Sequence, residues 1–223
     1  LISLAARLIS FREIRRMRDP PYHPPPEAYF TFWQFIRRVR ESNFVRFVLF
    51  TALVNFSTQL AGPYFMPYWI YDLHYEKWEW VVMSSAATLA SILTLLSWGR
   101  FSHRFGNKKT LYYTSSGIAL IPFFWAFSTN YYYLVVVNLF SGVVWAGFNL
   151  SSWNYILEAV TPPKRARCMA YFCVIVGVFT FAGALIGGHV YPWLPQSQPA
   201  PGVSTRFVYL LILSGAARVV TCL

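Results

Sequence analysis

The sequence predicts an all-α membrane protein whose main domain has six transmembrane helices, and three observations carry that prediction. Of its 223 residues 56% are hydrophobic and 20% aromatic, whereas 12% are charged, about half the ~25% usual in water-soluble domains. Phe47 to Tyr71, Trp80 to Gly99, Thr110 to Leu157 and Cys168 to Thr205 contain no Lys, Arg, Asp or Glu over 25, 20, 48 and 38 residues. A hydrocarbon core of ~30 Å takes about 20 residues of helix, so every run is long enough to cross. Finally, the bases are confined to the gaps between these runs, the spacing that the positive-inside rule requires. A water-solvated globule is excluded.

The opening LISLAARLIS is followed at once by FREIRRMRD. A secretory signal places its positive charges before the apolar stretch. The reversed order makes residues 1–10 read as the end of a preceding transmembrane helix, and the chain as a fragment. Residues 11–44 read as a cytoplasmic linker, with Arg12, Arg15, Arg16 and Arg18, then DPPYHPPPE, then Arg37, Arg38 and Arg40. Proline at this density prevents a continuous helix, while Phe32, Phe35, Ile36 and Val39 recur at helical spacing and predict an interfacial amphipathic helix.

Residues 45–223 form the six-span domain. Span one covers Val45–Tyr71, with Pro63 and Pro67 near its far end, and span two covers Trp80–Gly99. As a single helix the 48-residue run would measure ~72 Å, so it must turn back. Ser128, Thr129 and Asn130 supply the turn, which gives span three over Thr110–Phe127 and span four over Tyr131–Glu158. Span five is Arg167–His189, YPWLPQSQPAPG is an external loop, and span six begins near Arg206.

Arg100, Arg104, Lys108 and Lys109 separate spans two and three, and Lys164, Arg165 and Arg167 separate four and five. The opposite side carries Lys77 and Arg206 with Asp72, Glu76 and Glu79. The basic side is therefore expected in the cytoplasm, with both ends of the fragment there, in a plasma (inner) membrane. The same rule accounts for the net charge of +11 without a nucleic-acid partner. Arg218 lies about 12 residues, or ~18 Å, into span six and must reach the interface or face a polar interior. Cys168, Cys173 and Cys222 show no metal-ligand spacing and read as small buried residues. No metal or cofactor is expected.

Between spans two and three the chain reads WGRFSHRFGNKKTL, a loop of about ten residues. Such a loop needs glycine where the chain reverses, and bases that suit helix ends and anionic headgroups. It resembles the signature loop of the major facilitator superfamily, G-x-x-x-D-R-x-G-R/K-R/K. Gly99, Arg104, Gly106, Lys108 and the register-shifted Lys109 match; His103 stands in place of the acid and Asn107 in place of a base. NFSTQLAGPYF, SGVVWAGFNLSSWNYILEAVTPPKRARCMAYF and GALIGG resemble stretches of that family's second half.

The resemblance implies the C-terminal half of a twelve-helix fold, built as two inverted three-helix repeats, whose N-terminal six-helix half is the missing partner. It also implies that spans one and four line an aqueous path. Both carry polar stripes: Thr51, Asn55, Thr58 and Gln59 on one, Asn138, Ser141, Trp145, Asn149 and Ser152 on the other. Asn55, Gln59, Trp145 and Asn149, with Thr58 and Ser152, are the expected solute contacts, since amides and an indole offer neutral donors and stacking. Glu158 is expected to pair with Arg104, Arg165 or Arg167 and to hold a cytoplasmic gate closed. Gly183 and Gly187 form a G-x-x-x-G packing pair. The implied function is secondary active transport of a small solute by alternating access, in contact with membrane lipid. No buried carboxylate in this half suggests a proton relay, so if the intact protein couples transport to protons the carboxylate is expected in the other half. A non-transporting scaffold is the alternative. A membrane enzyme is disfavoured by the lack of H-E-x-x-H, and ATP coupling by the lack of G-x-x-x-x-G-K-S/T.

Overall fold

The computed structural model describes residues 7, 10–12, 15–16, 31–37, 42–195 and 205–222. Most of the expected helix end over residues 1–10, the DPPYHPPPE stretch, Arg38, Val39, Arg40 and the later part of the external loop lie outside them. The chain divides into two units, Leu1–Phe30 and Thr31–Leu223. The described residues of the first are helical and exposed, and Arg15 lies over the Phe11 ring at 5.6 Å.

The second unit is helical throughout its described residues apart from short connections. Helix α1 spans Phe32–Arg37. Thr31 and Gln34 begin it by exchanging bonds: the Thr31 N–H donates to Gln34 Oε1 at 3.0 Å and the Gln34 N–H to Thr31 Oγ1 at 3.4 Å, the reciprocal arrangement of a capping box. Helix α2 spans Asn43–Ala61 and winds on through tighter and wider turns to Asp72. Those turns absorb Pro63 and Pro67, which cannot donate within a regular helix.

Helix α3 spans Lys77–Phe105 and starts at a second capping box, Glu76 with Glu79, so two of the acids on this side serve to start a helix. It ends at Gly106, with φ 89° and ψ 152°, and α4 follows at once over Asn107–Phe127. The connection between spans two and three is thus one residue, shorter than the loop expected from its charges. Arg100, His103 and Arg104 tolerate helix, and only Gly106 occupies backbone space closed to other residues. Gly106→Ala is expected to destabilise the protein by about 1–3 kcal/mol, measured by denaturant unfolding in detergent.

Asn130 caps helix α5, Tyr131–Ala159, accepting from the Tyr132 and Tyr133 N–H groups at 2.9 and 3.4 Å, as the expected turn requires. Helix α6 spans Arg165–Val190 and α7 spans Thr205–Cys222. Among the described residues four segments are long and apolar enough to cross a membrane: Asn43–Asp72, Lys77–Phe105, Tyr131–Ala159 and Pro162–Trp193. Helices α4 and α7 have 21 and 18 residues, with Lys108 and Lys109 on one and Arg206 and Arg218 on the other.

Helix α2 packs against α6 and α7, α5 packs against α3 and α4, and α4 meets α7. Small residues set the two longest seams. A side chain at Gly183 or Gly187 would strike the Phe56 or Leu60 carbonyl of α2, and one at Gly142 the Ala87 carbonyl of α3. Ser91 Oγ donates to the Gly142 carbonyl at 2.8 Å and Trp98 Nε1 to that of Val143 at 2.8 Å, tying α3 to α5. At the opposite end from Gly106, the fully buried Trp69 gathers Tyr75, Trp80, Trp125 and Tyr131 around it, with ring centroids 4.6–6.3 Å away.

Arg218 faces the interior. It is 2% exposed, and its Nη1 donates to the Ile118 carbonyl of α4 at 3.0 Å. Pro122 explains the acceptor. Having no N–H, it leaves the carbonyl four residues earlier, that of Ile118, without its helical partner. In a membrane such a freed group must be satisfied by a neighbouring element, and Arg218 satisfies it.

Candidate functional site

Helix geometry brings part of the expected polar stripe together. Residues four apart lie on one face of a helix, so Trp145, Asn149 and Trp153 form a column on α5. That column, with Ser91, Ile92 and Leu95 of α3, lines a cavity of about 380 Å³. Trp145 is held edge-on to Phe148 at 5.6 Å, and Asn149 is exposed. Ser91 spends its hydroxyl on the α3–α5 seam, so Asn149 is the main hydrogen-bonding group and two indoles are the main surfaces. Among the described residues no charged side chain lines the cavity. An apolar cleft with one convergent amide and two aromatic faces suits a neutral or amphiphilic solute, and the indole faces also attract an organic cation. Trp153 was not among the expected contacts, although its spacing from Trp145 was there to read.

The other expected contacts lie elsewhere. Asn55 Nδ2 donates to the Thr51 carbonyl at 2.8 Å and Thr58 Oγ1 to that of Val54 at 2.8 Å, each bonding back to its own helix. Gln59 lies at the α2–α6 seam beside Gly183, its amide over Gly62. Ser152 is buried, its hydroxyl donating to the Phe148 carbonyl at 2.7 Å. None of these four lines the α3–α5 cavity.

At the signature stretch, Arg104, Lys108 and Lys109 are exposed, and Arg104 lies over the Phe105 ring at 5.2 Å. Gly99 faces open space, so only Gly106 of the two matching glycines is demanded by the backbone. Asn107 is buried and bonded to the Ser102 hydroxyl, which gives this departure from the family pattern a role in joining α3 to α4. Glu158 is exposed and Arg167 half-buried. Arg165 donates from Nη2 to the Leu157 carbonyl at 2.8 Å and from Nε to that of Val160 at 3.2 Å, closing the C-terminal end of α5 with a cation.

A family model for the Major Facilitator Superfamily matches residues 1–184 and 47–220. The chain is 26% identical over 133 residues to the Homo sapiens protein named Solute carrier family 22 member 16, an alignment covering 60% of this chain and 23% of that one. It is 35% identical over 91 residues to the Bacillus subtilis (strain 168) protein named Uncharacterized MFS-type transporter YuxJ, covering 41% of this chain and 22% of the other. The aligned stretches thus span less than a quarter of either relative. With its apolar helices and a match over most of its length, the chain is an integral membrane protein and belongs to the Major Facilitator Superfamily.

Proposed function

We propose that this chain is the C-terminal six-helix half of a secondary transporter that moves a small solute by alternating access. The transport names of both relatives support this reading, and so does the helix packing. Exchanging each helix for the one three places along converts the α2–α6 contact into α5–α3 and the α2–α7 contact into α5–α4, and it returns α4–α7 to itself. That is the relation expected of two inverted three-helix repeats. In this reading α4 and α7, about 32 and 27 Å long at 1.5 Å per residue, also cross the membrane. The outward faces of α3 and α6, with Leu93 77% and Phe181 65% exposed, lie against lipid or the other half. The basic residues beside Gly106, together with Glu158 and Arg167, form the cytoplasmic gate.

The observation that carries the proposal is the Trp145–Asn149–Trp153 column in an uncharged cleft. It offers recognition without a nucleophile or a proton-transfer group, as transport rather than covalent chemistry requires. Uptake by the intact transporter in proteoliposomes, screened with neutral, zwitterionic and organic-cation solutes, tests it. Trp145→Ala and Asn149→Leu are each expected to lower kcat/KM about tenfold, the loss of one desolvated aromatic or hydrogen-bonded contact. Unchanged transport by both variants would remove the cleft from the solute path.

A further inference from the structure

A second cavity, of about 390 Å³, lies where the N-terminal ends of α2 and α4 meet the C-terminal ends of α5 and α7. Sequence reasoning did not foresee it, because its wall is assembled from four helices far apart in the chain. Arg46 and Lys108 stand at its exposed rim, while Phe47 and Ser115 are buried. Phe47 packs on Tyr155 with ring centroids 4.5 Å apart, giving one side of the cavity an aromatic wall. Among the described residues no acidic side chain lines it.

The charged side chains that line it, among the described residues, all have one sign. Two cations sit in the first turns of α2 and α4; the positive dipole ends of these helices are offset by the negative C-terminal ends of α5 and α7, so the side chains set the sign. The buried guanidinium of Arg218 lies one helical turn from Cys222, another lining residue, and adds positive charge behind the wall. Tyr112 and Tyr155 contribute hydroxyls, whereas Ser115 donates its own to the Tyr112 carbonyl at 3.0 Å. Apolar walls beneath a cationic rim, at the ends of helices, match a ligand with a charged head and an apolar stem. Basic pockets between spanning helices hold anionic headgroups by this physics.

We propose that this pocket binds the phosphate of an anionic amphiphile, an inner-leaflet phospholipid, with Arg46 and Lys108 holding the phosphate oxygens and the aromatic wall bordering the acyl stem. The site is separate from the α3–α5 cleft and stands whatever that cleft transports.

The test is binding of fluorescent phosphatidylglycerol by the intact protein in phosphatidylcholine nanodiscs. Replacing both cations, Arg46→Ala with Lys108→Ala, is expected to weaken binding about twenty-five-fold, at roughly fivefold per cation. Lys109→Ala, which removes a neighbouring exposed charge outside the lining, is expected to change it less than twofold. Competition by inorganic phosphate would identify the head alone as sufficient. Competition only by short-chain phosphatidylglycerol would show that the stem is needed, and either result retains the site. Equal losses from Lys108→Ala and Lys109→Ala would reduce the effect to diffuse surface charge and overturn the proposal, as would the lack of any preference for the anionic lipid.

Discussion

Arg218→Ala is expected to lower the unfolding free energy by about 3–5 kcal/mol, and by about 1–2 kcal/mol less when Pro122 is also alanine. The first figure combines the void left by a long buried side chain with an unsatisfied carbonyl, itself costing about 1–3 kcal/mol. The second isolates the hydrogen bond. In the Pro122→Ala background residue 122 has an N–H, which returns the Ile118 carbonyl to its helical partner, so the Arg218 donor at 3.0 Å is no longer required. Such coupling is what a double-mutant cycle measures, and cross-helix hydrogen bonds in membranes reach about 1.7 kcal/mol. Titration with a denaturing detergent would give the four stabilities. Equal losses in both backgrounds would mean that Arg218 is held for some reason other than the proline. One buried cost works against the loss from Arg218→Ala: among the described residues Arg218 Nε has no hydrogen-bond partner, so truncation also relieves an unsatisfied donor.

Gly187→Ala and Gly142→Ala are each expected to cost about 1–3 kcal/mol or more, while Gly177→Ala is neutral or stabilising by up to about 1 kcal/mol. At the first two positions a new methyl would meet a backbone carbonyl, that of Leu60 or Ala87. A side chain could rotate away from the collision, but a carbonyl in a helix cannot, so the helices must separate and the whole seam loses contact. Gly177 faces open space, and there alanine contributes only its higher helix propensity. The three substitutions are chemically identical, so thermal unfolding in detergent compares the seams directly. A loss at Gly177 as large as the loss at Gly187 would show that the seam geometry is not what makes glycine necessary.

The positions of these seams were only partly legible. Gly183 and Gly187 announce themselves by their spacing, but Gly142 is followed by Ala146 and does not stand out in a span already rich in small residues. The candidate site divides in a similar way. Trp145 and Asn149 do meet in one cleft, whereas Asn55, Thr58 and Ser152 return their polar groups to their own helices. A polar stripe records that a residue can hydrogen-bond, and the choice between a solute and the carbonyl one turn back depends on rotamer and neighbours. The single-residue junction at Gly106 shows the converse error. A cluster of bases marks where a helix leaves the apolar phase, not where it stops being a helix.

By itself the sequence determined the apolar runs, the reversal at Ser128–Asn130 and the basic junctions, because hydropathy, turn chemistry and charge placement act over a few consecutive residues. Tertiary structure alone decided that Arg218 turns inward, since its acceptor lies 100 residues away and becomes available only because Pro122 sits on the helix packed against it. It alone assembled the cationic pocket from the ends of α2, α4, α5 and α7. Both depend on which helices become neighbours, and a one-dimensional pattern of apolar and charged residues is the same for many such arrangements.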